Sequence, residues 1–573
     1  MDEDTSKYPL QALLSIAEIC AQRGVQHAVI SPGSRSAPLM LSFVRHPHIR
    51  TYLLPDERAA AFVALGMAQT LGMPVALICT SGSAAYNYAP AVAEAFFEAV
   101  PLLILTADRP PEWIDQRDGQ TIRQEGIYGR HVKGSWQMPV DYQHFDARWH
   151  IQALTNRAIT AALDAPMGPV HLNVPLREPF YPKEQQQFWS ERAPRVSQYV
   201  GGQTRLPRRA WGELQKIWDR SPLKLIVAGQ ESRREPYLFP DKIPILTDVI
   251  TNQFGHRQAV HHQDLFLGRV AYPARFQPDL LITFGRSIIS KNVKLFLRKY
   301  RPEYHWHIQA VGDVADTFQS LTHILRSDPE TFFEDLRERK FNAPEAAYQF
   351  LWQTTDEEVR SFLFDFWHNQ QLFSEFEAVY EVMQRLPENT VLHLANSMPV
   401  RYANFINLAQ RDDVRVCANR GTSGIDGSTS TAIGHALADP IRTHVLLTGD
   451  VAFFYDHNAF WHDHLPKNLR IVLLNNRGGG IFRMIQGPPA QPELSPYFTT
   501  PHQRTAQLTA EDFGLSYVQA NDRDQLFTAL EHFWIQEQTP KVLEIHSDQQ
   551  QNTAVLEQFR QQLKQHLDRT WKT

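Results

Sequence analysis

Cysteine is scarce in this chain: Cys20, Cys79 and Cys417 are the only three in 573 residues, and no two form a CxxC pair. That excludes a disulfide framework, gives no support to a thiolate zinc site, and reads as a reducing compartment. Long apolar runs are missing too. Val75 to Cys79 and Val100 to Thr106 are strand-sized, far short of the roughly 20 residues a membrane-spanning helix needs. No charge of one sign dominates, since 57 Lys and Arg stand against 62 Asp and Glu, a net charge of -5. Nothing therefore draws the chain to nucleic acid or anionic lipid. The first residues, Met-Asp-Glu-Asp-Thr-Ser-Lys, have neither the basic nor the apolar region of a secretion signal, so a cytoplasmic protein without membrane insertion is expected.

What is present is globular in composition, 43% hydrophobic and 21% charged, at a length suited to roughly three or four compact units. A helical pattern over Leu10 to Gln22 leads to a strand at His27 to Ile30, a turn at Ser31-Pro32-Gly33-Ser34 and a helix over Ala37 to Val44. Asp56 caps a helix through Gln69; then come a strand (Val75 to Cys79), a helix (Ala84 to Glu98) and a closing strand (Leu102 to Thr106). Strands alternating with helices predict βαβ units and a mainly parallel sheet covered on both faces, an α/β fold. The polar, irregular stretch from Tyr181 to Gly202 suits a linker. Beyond it, Leu223 to Ala228 and Leu280 to Phe284 read as buried strands ended by Gly229 and Gly285. A charged helical region over Asp328 to Arg360 precedes a third unit, with strands at Val391 to Leu394, Val445 to Thr448 and Ile471 to Leu474. Leu556, Phe559, Leu563 and Leu567 share one face of an amphipathic helix at the end. The domains are expected at 1–185, 203–345 and 360–573.

Gly449-Asp450 follows one apolar strand, and Asn475-Asn476 ends the next, ahead of Gly478-Gly479-Gly480. A right-handed βαβ unit brings both strand ends to one sheet edge, where ligands bind. A carboxylate, an amide oxygen and a backbone carbonyl are hard ligands that suit Mg²⁺ completing its octahedron with water and a diphosphate. Taken singly, Asp450 serves as well for a helix cap and Asn476 for a turn. Asp456, His457, His462, Asp463 and His464 also cluster, but they lack the HExxH spacing of a metal-dependent hydrolase, and residues five apart leave a common helix face. The glycine run fits neither GxGxxG nor GxxxxGK[ST], against a nucleotide loop.

Gly449-Asp450 with Asn475-Asn476 resembles the magnesium-diphosphate motif of the thiamine diphosphate enzymes, with Val451 in place of the usual third glycine. That superfamily draws a glutamate from its other cofactor domain, and Glu57 in Leu54-Pro55-Asp56-Glu57-Arg58 stands where it belongs; by itself, an acid there equally complements a helix dipole. A buried carboxylate on the aminopyrimidine ring would help the thiazolium lose its C2 proton.

Five further segments together resemble the MenD family of menaquinone-pathway synthases: Ser31-Pro32-Gly33-Ser34-Arg35-Ser36, Thr80-Ser81-Gly82, Ala107-Asp108-Arg109-Pro110-Pro111-Glu112, Ile122-Arg123-Gln124 and Asn419 through Gly427. The resemblance implies three α/β domains in the thiamine diphosphate-binding fold. It also implies a carboligase that decarboxylates 2-oxoglutarate and adds the succinyl semialdehyde carbanion to isochorismate. Ser81, Gly82, Ser397, Gly424, Ile425, Gly449, Asp450 and Asn476 would hold the cofactor, with Ile425 beneath its rings; Asp450, Asn476 and Gly478 would hold Mg²⁺ or Mn²⁺. Substrate contacts fall to Ser34, Arg35, Arg109, Gln120, Lys291, Ser397, Arg401 and Arg420, beside an apolar wall of Ile481, Phe482 and Ile485. Gly119 stands where the family often has asparagine. Both implied substrates carry two carboxylates, which guanidinium groups take by paired charge-assisted hydrogen bonds. A homodimer or a dimer of dimers is implied, because in the superfamily the cofactor domains meet across a subunit interface. The rival readings are another thiamine diphosphate-dependent decarboxylase or carboligase, and a non-catalytic protein keeping the fold; the joint presence of Glu57, Asp450 and Asn476 favours the enzyme.

Overall fold

Apolar runs bounded by turns become the inner strands of three six-stranded sheets, each wholly parallel in its pairings. The computed structural model describes residues 7–178, 180–189, 193–231, 235–409, 411–485 and 487–570, so the acidic start falls outside the described residues. The first sheet holds β1 (His27–Ile30), β2 (Arg50–Leu53), β3 (Val75–Cys79), β4 (Leu102–Asp108), β5 (Ser135–Gln137) and β6 (Val170–Pro175), in the order β2-β1-β3-β4-β6-β5. The second holds β7 (Lys224–Ala228), β8 (Ile245–Thr247), β9 (Ala259–Val260), β10 (Leu280–Phe284), β11 (Tyr304–Ile308) and β12 (His323–Leu325), in the order β12-β11-β10-β7-β8-β9. The third holds β13 (Val391–Leu394), β14 (Arg415–Cys417), β15 (His444–Gly449), β16 (Leu469–Asn475), β17 (Ser516–Ala520) and β18 (Lys541–His546), in the order β14-β13-β15-β16-β18-β17.

The first and third sheets thus share one strand order although the sequence shows no repeat. In both, the order reverses beside the unit's first strand, between β1 and β3 and between β13 and β15. At such a reversal the loops leave opposite faces and open a crevice at the carboxyl ends of the strands. The middle sheet reverses between β7 and β10, but there the two loops close on each other. Gly229 N–H donates to Phe284 O (2.8 Å), Gln230 N–H to Ser287 O (2.8 Å), and Arg286 N–H to Gln230 O (3.2 Å). A Cβ on Gly229 would lie 2.4 Å from Arg286 O, so glycine alone permits the approach.

The sequence pattern and the structure differ in two places. The helix expected over Ala84 to Glu98 is two, Ser83–Asn87 and Ala89–Glu98. Pro90 has no N–H for the carbonyl of Tyr86, and the helix breaks at Tyr88. The first unit does not close at Thr106: β4 runs to Asp108, and β6 and the short, half-exposed edge strand β5 extend the sheet. The charged region forms the helices Pro329–Arg337 and Ala346–Asn369. The final helix, Gln549–Thr570, buries Leu556, Phe559, Leu563 and Leu567 in the core of the third unit. The described part of Tyr181 to Gly202 folds back on the N-terminal helix, where Gln11 Nε2 donates to Trp189 O (2.7 Å). Among the described residues no helix is long and apolar enough to cross a membrane.

Two helices weld the first unit to the third. Glu57–Leu71 lies along Ser428–Ala438. A Cβ at Gly66 would stand 2.1 Å from Thr431 O, and one at Gly434 2.0 Å from Val63 O. The backbones touch because neither glycine has a side chain. At the far end Thr70 Oγ1 and Gln69 Oε1 bond the two ring nitrogens of His435 (2.7 and 2.8 Å).

Candidate active site

The loops after β1, β3 and β4 gather at the reversal point of the first sheet. Gly33 lets its turn nest on Thr80, since a Cβ there would fall 2.3 Å from the threonine Cβ. Thr80 Oγ1 and Ser81 Oγ are buried without a hydrogen-bond partner, an arrangement a protein interior rarely leaves uncompensated unless a ligand supplies one. Gly82, at φ +87°, donates its N–H to Gln124 Oε1 (2.8 Å), and the Gln120 backbone lies across it. Arg35 is buried, donates to Leu176 O (2.7 Å) and stacks 4.9 Å over Phe180. Burial, then the charge of Arg109, holds its pKa below the usual arginine value. Arg109 reaches Asp118 (3.0 Å) and Gly119 O (2.9 Å), and its Nε has no partner. Space is open around Gly119, so its departure from the family pattern costs no packing. Ser34 is exposed, with Oγ 3.5 Å from the Tyr181 hydroxyl.

Glu57 begins the helix after β2. Asp56 caps that helix, accepting from Ala59 N–H (3.0 Å), so the cap does not depend on the Glu57 carboxyl. Burial raises its pKa above the ordinary carboxylate value. The neighbouring Arg58 spans to the third unit, donating to Asp426 O (2.6 Å) and Tyr455 O (3.2 Å), and Asp56 accepts from Asn458 (2.7 Å). The Glu57 turn therefore abuts the Gly424–Gly427 loop, which carries half-buried Ile425, and the far end of the helix Asp450–Tyr455.

Asp450 is 2% exposed at the end of β15. Its Oδ1 accepts from Val451 N–H (2.7 Å), its Oδ2 from Gly478 N–H (2.8 Å), and His502 Nε2 stands 3.3 Å from Oδ2. Position 451 is already helical, so valine is tolerated there. Gly478 is different: at φ +152°, with Thr499 O 2.3 Å from a would-be Cβ, it must be glycine. Asn476 donates to Glu375 Oε1 (2.6 Å) and accepts from Gln549 Nε2 (3.1 Å), while Asn475 turns away to Glu544 and Arg504. Asp450, Asn476 and Gly478 share one sheet edge and offer oxygen ligands only, a set that fits Mg²⁺ once Gln549 yields the amide oxygen.

Nothing around Glu375 in the sequence marks it as part of the site. Burial pushes its carboxyl up to about 8; the hydrogen bond from Asn476 opposes this, and the charge of Asp450 adds to it. The folded protein therefore keeps this proton over a range where the unfolded chain has lost it, so stability falls as pH rises from the ordinary carboxylate range to about 8. Glu375→Gln is expected to flatten the fall of Tm across that window. An unchanged slope in thermal melts at pH 5 to 8 would count against the assignment.

The third-unit loops carry the arginines. Ser397, at φ +78°, turns β13 into the helix Met398–Ile406, and Arg401 donates back to Ser397 O (2.6 Å). Asn396, also unforeseen, fixes the loop that follows β14 by donating to Asn419 O (2.8 Å) and Gly424 O (2.7 Å). Its Oδ1 accepts from Arg420 Nη1 (2.6 Å). Burial depresses the pKa of both Arg401 and Arg420, Arg420's charge further lowers that of Arg401, and Arg420 Nε is buried without a partner. Neither arginine makes an ion pair among the described residues; Asp264 acts on Arg401, and Asp248, Glu94 and Glu98 on Arg420, only from a distance. Lys291 starts the helix Lys291–Lys299 with an exposed side chain. Ile481 and Phe482 are half-buried, and Ile485 is 39% exposed.

The hydrolase-like cluster does not converge. Buried Asp456 accepts from Ser430 N–H and Oγ–H (2.8 and 2.7 Å), His457 bonds Phe454 O, and His464 accepts from Leu53 N–H. A different trio, His393, Cys417 and His435, places its ligand atoms within 4.8 Å of one another. Gln69 and Thr70 already engage His435, and His444 engages His393 (3.0 Å).

Family models match the three units in turn. The thiamine pyrophosphate enzyme N-terminal TPP-binding domain covers residues 12–127, the middle domain of thiamine pyrophosphate enzymes 237–394, and the C-terminal TPP-binding domain 400–545. The chain is 41% identical to a 2-succinyl-5-enolpyruvyl-6-hydroxy-3-cyclohexene-1-carboxylate synthase of Cytophaga hutchinsonii, over 97% of this chain and 99% of that one. Synthases of the same name from Flavobacterium johnsoniae and Bacteroides thetaiotaomicron are 36% and 35% identical, over 97% and 96% of this chain and 100% and 99% of theirs.

Proposed function

The chain belongs to the 2-succinyl-5-enolpyruvyl-6-hydroxy-3-cyclohexene-1-carboxylate synthases, enzymes of the thiamine diphosphate class, and from that premise we propose that it decarboxylates 2-oxoglutarate and joins the succinyl semialdehyde unit to isochorismate. The observation that carries this reading is the Arg401 and Arg420 pair, two half-buried neighbouring guanidinium groups at a sheet edge that no carboxylate contacts directly among the described residues, although burial depresses the pKa of both. Dicarboxylate substrates supply what those groups lack.

In this proposal Ser81, Gly82, Ser397, Gly424, Ile425, Gly449, Asp450 and Asn476 hold the cofactor, and the unpartnered Ser81 hydroxyl gains a bond. Asp450, Asn476 and the Gly478 carbonyl hold Mg²⁺, with Mn²⁺ as an alternative. Bound thiamine diphosphate supplies the nucleophilic carbon and the electron sink for decarboxylation. Glu57 holds and returns a proton at the aminopyrimidine edge. Arg35, Arg109, Arg401 and Arg420 orient the carboxylates, with Ser34, Gln120 and Lys291 contributing, while Ile481, Phe482 and Ile485 keep water from the reacting atoms. A homodimer or dimer of dimers is part of the reading. Leu53, Tyr86, Phe97, Tyr455 and Trp461 are large, exposed and close in sequence to the site segments, and apolar surface of that kind suits a second copy.

The test is a coupled assay with 2-oxoglutarate and isochorismate, run with and without thiamine diphosphate and Mg²⁺. Adduct formation that needs all four components is expected. Carbon dioxide release without isochorismate consumption would indicate a simpler decarboxylase, and silence throughout would indicate a non-catalytic protein.

A further inference from the structure

Arg420 sits on a loop that the other two units hold. The helix Ala89–Glu98 of the first unit carries Glu94 and Glu98 on successive turns, 1% and 4% exposed. Glu94 Oε1 accepts from Gly421 N–H (2.8 Å), and Oε2 accepts from both Thr422 N–H and Thr422 Oγ–H (2.6 Å each). A Cβ on Gly421 would come within 2.8 Å of Glu94 O, so the loop seats this closely only with glycine. From the middle unit, Ser287 Oγ–H donates to Arg420 O (3.0 Å). Gln230 donates to Ala418 O (3.1 Å) and to Glu98 (3.0 Å), and the Arg286 guanidinium donates to Glu98 O.

Three donors from two consecutive residues converge on one ionisable carboxyl, and bonds of that charge-assisted kind are roughly twice as strong as neutral ones. Among the described residues the Glu94 carboxylate makes no ion pair with Arg420 and acts on its charge only from a distance, so its hydrogen bonds to the loop run through Gly421 and Thr422. We infer that Glu94 is a positioning residue: an acid of the first unit that fixes, through the backbone after Arg420, the direction in which Arg420 presents its guanidinium to a substrate carboxylate. The inference rests on the proposed substrate role of Arg420. It makes substrate affinity depend on a unit that does not carry the arginine.

A glutamine at this position keeps the length but aims an NH₂ at donors on one side, so at least one of the three bonds is lost. Glu94→Gln in the full-length enzyme, loaded with thiamine diphosphate and Mg²⁺, is expected to raise KM for 2-oxoglutarate or isochorismate about tenfold, with kcat changed less than about threefold. Thiamine diphosphate affinity should stay at the wild-type value. In an Arg420→Ala background the same change should add less than about twofold, because both act through one guanidinium. Independent, multiplying losses, or a matching loss of cofactor affinity, would overturn the inference. Should Glu94→Gln fold poorly, Thr422→Ala removes one donor and should give the same pattern more weakly; no KM change there would also overturn it. Amide hydrogen exchange separates the two ideas. Glu94→Gln should speed exchange at Gly421 and Thr422, and unchanged exchange refutes the anchoring. An Arg420→Ala enzyme with wild-type KM for both acids instead refutes the substrate role of Arg420, whatever exchange shows, and the positioning role falls with it.

Discussion

Glu57→Gln is expected to lower kcat by about 10²- to 10⁴-fold, the range that a positioned general acid-base contributes, while Tm and cofactor affinity stay near wild type. The separation of roles within one helical turn is what makes the test clean. Asp56 provides the cap and Arg58 the bridge to the third unit, so position 57 is free to change without loosening either. A glutamine amide matches the shape but cannot take up or release the proton. Burial already lifts the Glu57 pKa, which moves the group toward the working pH of a proton relay. If the acid served only the helix dipole, the same substitution would cost a few tenths of a kcal/mol in stability and nothing in kcat. Carbon dioxide release measured beside thermal melts distinguishes the two outcomes.

Gly434→Ala is expected to destabilise the protein by about 3 kcal/mol or somewhat more, the upper end of what overpacking a core costs. The added methyl would lie 2.0 Å from Val63 O and 3.0 Å from Met67 N, both backbone atoms of the facing helix that no rotamer change can move. In an exposed helix interior the same exchange is favourable by about 1 kcal/mol. Gly212, in the helix Ala210–Arg220 with open space around it, supplies that control. Urea midpoints should therefore shift in opposite directions for Gly434→Ala and Gly212→Ala. A mild effect at Gly434 would mean that the two helices do not touch as described.

The sequence and the structure agree where local chemistry decides. The apolar run Val75–Cys79 and the run Leu280–Phe284 become strands with those bounds, because each is buried along its whole length between turn residues. Asp56 is legible as a cap, and Gly449-Asp450 and Asn475-Asn476 as strand-end pairs. The fourfold contact of the final helix through Leu556, Phe559, Leu563 and Leu567 follows from periodicity alone. The partners that set the site are a different matter. Glu94 lies 327 positions from Gly421, Glu375 lies 101 from Asn476, and Asn396 meets Arg420 only because β13 and β14 are neighbours. Each is an ordinary acid or amide in an ordinary helix or strand end, with nothing in its own neighbourhood to mark it. The twin strand order of the outer sheets is hidden for the same reason, since topology follows from pairing and not from residue identity. Lys291 and Ile485 show the reverse: motif position alone names them, and both are exposed in the structure.

The loops that zip together across Gly229 and Gly285 give the middle unit an architectural office. Where a sheet of this kind can leave a crevice open at its reversal point, this unit fills its own slot and turns the rims outward, so that Gln230, Arg286 and Ser287 brace the joint between its two neighbours. It works as a keystone, contributing span and thrust while the reacting groups belong to the stones on either side. A shortened chain with this unit excised would keep most of the proposed catalytic residues and lose the arch that sets their spacing.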